Sequence, residues 1–137
     1  MKKLALILTI ATLTSMQSFA QIKLSVKVKN IQSTEGIIQV ALFNSEEDFL
    51  KKAFKKEERN AKEGEMLFEF ENVTPGDYTI SVIHDKNTNG ELDKNFIGIP
   101  SEPYGISMDG KSSFGPPNYE DAVFKVKDQN LTATISL

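Results

Sequence analysis

Residues 85–93 read DKNTNGELD, with oxygen-bearing side chains at alternating positions: Asp85, Asn87 and Asn89, then Gly90, Glu91 and Asp93. Hard cations such as calcium take about six to eight oxygen ligands from carboxylates, amides and backbone carbonyls. A calcium loop draws on its first, third, fifth, seventh and ninth positions, with glycine at the sixth for the sharp turn. Counted from Asp85, the candidate metal ligands are Asp85, Asn87, Asn89, Glu91 (through its carbonyl) and Asp93, and calcium is the candidate ion. Leu92 falls where an apolar residue anchors such a loop. Position twelve, where a bidentate glutamate belongs, is Phe96. Two carboxylates and two amides imply weak binding, with Kd about 10⁻⁴–10⁻³ M, unless Glu102 or Asp121 supplies a further carboxylate. Asn, Asp and Gly serve a polar turn equally well, because they tolerate left-handed backbone and close their own hydrogen bonds. Both readings stay open on the residues alone.

Other chemistry is sparse. His84 is the single histidine and cysteine is absent, so thiolate nucleophiles and cysteine zinc sites are excluded. His84 beside Asp85 could make a general base, but neighbours on a strand point to opposite faces. There is no G-x-S-x-G elbow. The chain is expected not to be an enzyme. Tyr104, Phe114 and Tyr119 could line a sugar or peptide groove, or simply pack a long loop.

The elements around the loop read as strands. IKLSVKV (22–28) alternates apolar and polar residues, as a half-buried strand does. GIIQVALF (36–43) follows a polar turn, which suggests a hairpin with the first strand. SEEDFLKKAFKK (45–56) switches to helical spacing, with Ser45 as cap and acids in its first turn. Its lysines (Lys51, Lys52, Lys55, Lys56) read as a solvated face. MLFEF (66–70) and DYTISVIH (77–84) are two further strands joined by a Pro-Gly turn. Residues 97–118 hold four of the five prolines and four of the eight glycines, and read as a long loop packed down by Ile99, Tyr104, Ile106 and Phe114. AVFKV and LTATISL close the chain, with 127–130 as a tight hairpin. Six or seven antiparallel strands with one short helix after the second imply a β-sandwich.

The first twenty residues form a charged, then apolar, then small-residue sequence typical of a secretory signal, with cleavage expected after Ala20. The apolar run is too short to span a bilayer as a helix. Residues 21–137 are expected to be one domain, exported to the periplasm or beyond. Without Lys2 and Lys3, 14 basic residues stand against 19 acidic ones, a net charge of −5. That speaks against nucleic acid and anionic membrane surfaces as partners. An exported domain without disulfides must be held by its core, or by its core and a metal.

The runs HDKNTNGELD, GIPSEPYGIS and the element Pro116, Pro117, Ala122, Phe124 resemble a family of exported bacterial proteins known as DUF2141. That resemblance implies a small secreted or periplasmic domain without an established activity. ENVTPGDYTISV also resembles the F-x-N-x-x-P-G-x-Y strand pair of transthyretin-like and collagen-adhesin B-type domains. This second likeness implies a seven-strand Greek-key sandwich of immunoglobulin/transthyretin type. Some adhesin repeats carry calcium-binding D-x-N-x-N-G-x-x-D loops. Three roles follow: a non-catalytic exported module whose loop binds calcium for stability or adhesion; a module that binds an envelope glycan or peptide through 97–118; or a hydrolase using His84 or Glu102.

Overall fold

A computed structural model describes residues 21–112 and 115–137, so the expected secretory signal (residues 1–20) and Phe114 lie outside the described residues. Eight strands form two sheets: β1 (Ile22–Ile31), β2 (Ile37–Phe43), β3 (Lys55–Asn60), β4 (Gly64–Val73), β5 (Gly76–Asp85), β6 (Tyr104–Ile106), β7 (Phe124–Val126) and β8 (Leu131–Ser136). The smaller sheet runs β4-β1-β8 and the larger β3-β2-β5-β6, with β7 also on β5. β5 returns beside β2 after β3 and β4, a Greek-key path split across the two sheets.

The alternation of β1 does what it predicts. Ile22, Leu24, Val26 and Val28 are buried, and the residues between them are half-exposed. They face Phe70, Phe68 and Met66 of β4 and meet Ile38, Val40, Leu42, Ile80 and Val82 from the other sheet in one apolar core. Burying such side chains stabilises by about 1.5–3 kcal/mol each before chain entropy is counted.

Several expected connections differ. β1 and β2 lie in different sheets, so the turn between them is a crossover rather than a hairpin. β7 and β8 are not a hairpin either: β7 pairs with β5, while β8 runs parallel to β1. Each strand leaves the 127–130 turn toward the sheet that completes its own buried face. The six strands read one by one from the sequence, in a sandwich expected to have seven, become eight because β3 and β6 were not legible as strands.

The expected helix at 45–56 is absent. Phe49 N–H bonds the Glu46 carbonyl, and Lys51 and Lys52 N–H both bond that of Asp48. Leu50 then adopts left-handed backbone (φ 58°), which stops the turn. From Lys55 the chain pairs antiparallel with β2 instead. The helical period was real, but tertiary pairing overrode it. Phe49 is buried against Phe43 and Tyr119, with ring centroids 5.7 and 5.8 Å away. The helical content among the described residues is a 3-10 turn at Ser107–Asp109 and one α-turn, α1, at Tyr119–Ala122. None of the described helices is long and apolar enough to cross a membrane.

The larger sheet is covered on both faces. β2 and most of β5 are buried without alternation. A second apolar cluster of Ala41, Phe43, Phe49, Ile106 and Ala122 sits on the outer side. Ser107 ties this cover down: its hydroxyl accepts from Ile80 N–H (2.9 Å) and donates to the Ala122 carbonyl (2.6 Å).

Candidate functional site

The 85–93 segment leaves the end of β5 as a self-closing loop. Asp85 is fully buried, and its carboxylate accepts N–H bonds from Asn89 (3.2 Å) and Gly90 (2.8 Å). The Asn87 side-chain oxygen accepts from the same Asn89 N–H, also at 3.2 Å. The Asn89 side-chain oxygen accepts from Glu91 N–H at 2.9 Å. One backbone nitrogen is thus shared by the oxygens of Asp85 and Asn87, which brings the first and third positions together. Asp93 closes the ring from the far end, where its carboxylate accepts from the side-chain amides of Asn87 and of Asn89 (2.7 Å to the latter).

Backbone conformation is committed to this shape. Thr88 lies in left-handed backbone (φ 58°), unusual for a β-branched residue, and Gly90 supplies the second left-handed position (φ 83°). Beneath the loop, Gly36 (φ 70°) passes so close that a Cβ there would lie 2.0 Å from the Asp85 carbonyl. Only glycine fits.

The sequence left the extra carboxylate open between Glu102 and Asp121. Glu102 is the one that reaches the loop. Although 8 % exposed, it accepts from Lys86 N–H (2.8 Å) with one oxygen and from Asp93 N–H (3.1 Å) with the other. It clamps the two ends of the loop from a position seventeen residues beyond Asp85. The Asp121 carboxylate is instead bonded by the Asn118 side-chain amide (3.3 Å) in α1. Glu91 is exposed, and its backbone N–H bonds the Asn89 side-chain oxygen. Leu92 does not anchor in the core; it is half-buried against the cover of the larger sheet.

The loop can hold a hard cation only in a particular way. Among the described residues no group of three or more acidic or histidine side chains is gathered as a metal site. A cation here would rest on the Asp85 and Asp93 carboxylates, completed by amide and carbonyl oxygens. The Asn87 and Asn89 side-chain amides donate hydrogen bonds to the Asp93 carboxylate, and a bound cation would take their place as its partner. The donor set is all oxygen, which suits calcium or magnesium rather than a soft metal.

His84 does not present itself as a base. It is 1 % exposed, and one ring nitrogen lies 2.7 Å from the Glu35 carbonyl, while Nδ1 has no hydrogen-bond partner. Of the aromatic trio, Tyr104 lines an open cleft, with Lys111 Nζ 4.9 Å from its ring centroid, whereas Tyr119 packs on Phe49.

A family model described as "Uncharacterized protein conserved in bacteria (DUF2141)" matches residues 26–134. No curated protein and no solved structure matches the chain.

Proposed function

The chain belongs to the DUF2141 family, and within it we propose for this protein the role of a non-catalytic, exported β-sandwich module stabilised by calcium in the Asp85–Asp93 loop. The observation that carries this reading is the convergence of Asp85, Asn87, Asn89 and Asp93 on one turn, in the order a calcium loop uses them. The side-chain oxygens of Asp85, Asn87 and Asn89 are oriented by backbone N–H bonds and those of Asp93 by the Asn87 and Asn89 side-chain amides, which lowers the ordering cost of binding an ion. Glu102 fixes the loop ends and so preorganises it further. Burial of His84, which leaves it no access to a substrate, supports a role without catalysis. The secretory character of residues 1–20 supports export, where calcium is held at concentrations that weak sites need.

Calorimetric titration with calcium tests this. One site with Kd about 10⁻⁴–10⁻³ M is expected, weakened at least tenfold by Asp93→Asn. An Asp93→Asn variant that binds as wild type, or a wild type that takes up no calcium at 10 mM, overturns the reading.

A further inference from the structure

The cover of the larger sheet does not close fully. Between the outer face of β2, β5 and β6 and the segments around 50–53, 90–100 and 115–117 lies an open cleft of about 970 Å³. That is the upper size of small-molecule sites, which run to about 1,000 Å³. Its floor follows from strand register. Ala41 of β2 stands opposite Ser81 of β5, which in turn stands opposite Ile106 of β6. Two small side chains side by side leave the depression. The next row, Gln39, Ile83 and Tyr104, forms its other half.

The walls set apolar side chains among a few polar ones. Leu92, Ile99 and Pro100 stand on one side, Leu50 and Ala53 on another. Leu50 and Ile99 keep 42 % and 55 % of their surface exposed at the mouth. In the floor the Gln39 side-chain N–H is donated to Glu58 at 2.8 Å. A peptide adding as a strand needs a free sheet edge. β2 and β5 are each paired on both sides, so the edge left in the floor is that of the three-residue β6.

The charge of the lining runs opposite to that of the chain. Lys51, Lys56 and Lys94 line the cleft against one acid, Glu91, in a protein of net charge −3. Lys56 is held 2.6 Å from Glu58. Among the described residues Lys51 and Lys94 have no ion-pair partner, and both are exposed. Basic groups at the rim of an apolar cleft raise the local concentration of anions.

We infer that this cleft binds a small amphipathic organic acid, its apolar body over the Ala41–Ser81–Ile106 floor and its anionic head at Lys51 and Lys94. Nothing in this depends on calcium, so the test is run in EDTA. The probes are decanoate and decyl phosphate, below their micellar concentrations, with decyltrimethylammonium and octyl glucoside as cationic and neutral counterparts. Amide shifts in ¹H–¹⁵N spectra of the purified protein locate the site. Saturable shifts at Ala41, Ser81 and Tyr104 are expected for the anions, at least tenfold tighter than for the other two. The relative affinity of decanoate and decyl phosphate identifies the head as carboxylate or phosphate. Lys51→Glu with Lys94→Glu, both on exposed side chains, should weaken the anions at least tenfold, and Ser81→Leu should fill the floor and abolish binding. Equal affinity across head groups, no shift at the floor amides, or an unchanged affinity in the double lysine variant overturns the inference. The lysine variant keeps the test decisive if Ser81→Leu does not fold.

Discussion

At the scale of single residues, the loop is held by groups whose removal has separable effects. Glu102 satisfies two backbone N–H groups at once. Glu102→Ala leaves both without their charged acceptor and should destabilise the protein by about 2–3 kcal/mol. Glu102→Gln offers one acceptor oxygen and should fall between it and wild type, read from urea midpoints. Gly36→Ala combines left-handed backbone, which costs about 1–3 kcal/mol for a non-glycine residue, with a Cβ driven into the Asp85 carbonyl. A loss of about 3 kcal/mol or more is expected in the same assay. The alternating oxygens from Asp85 to Asp93 were legible in the sequence because the pattern is local. Glu102 was one of two open candidates, since the chain order of distant carboxylates carries no distance. Leu92 was misread because its place in the loop pattern does not say which surface it meets, and here it lies half-buried along the cleft over the larger sheet.

At the scale of elements, the informative failure is residues 45–60. Phe49, Leu50, Ala53 and Phe54 recur at helical spacing, yet only Phe49 and Ala53 reach the second apolar cluster. Phe54 packs near Tyr78 and stays 44 % exposed. The polar strand β3, KKEERN, has no apolar alternation to reveal it. Its charges suit an edge strand, which must discourage pairing with other chains. Phe49→Ala should cost about 3–5 kcal/mol, as buried phenylalanines do, and should loosen the cover more than the main core. Hydrogen exchange would register this as faster exchange at Ile106 and Ala122 with little change at Val26. A disrupted helix would instead speed exchange along 46–56. By contrast β1, β2, β4 and β5 were readable from period and composition, because their core faces are set by side chains within one strand.

At the scale of the whole molecule, loop and cleft share a wall. Gly90, Glu91 and Leu92 belong to the Asp85–Asp93 loop and also line the cleft. Coupling between two bound ligands is reciprocal. If both readings hold, 10 mM calcium should tighten decanoate binding about fivefold, the lower end of ordinary coupling, and decanoate should tighten calcium by the same factor. Titration of each in the presence of the other checks the symmetry. The two-sheet architecture could be inferred from strand spacing, but the pairing of β7 and β8 could not. Which sheet a strand joins depends on the core left open for it, and that is a property of the assembled fold.

The central claim is that the loop is a calcium site. Thermal unfolding of the purified protein in EDTA and then in 10 mM calcium, with 10 mM magnesium as control, addresses it most directly. A ligand that binds only the native state stabilises it by mass action. With Kd about 10⁻³ M the gain is roughly 1.4 kcal/mol, or about 5 °C for a domain of this size. A calcium-specific rise of that order, lost in Asp93→Asn, is the predicted result. Identical unfolding curves in all three conditions would contradict it and leave DKNTNGELD as a polar turn closed by its own hydrogen bonds.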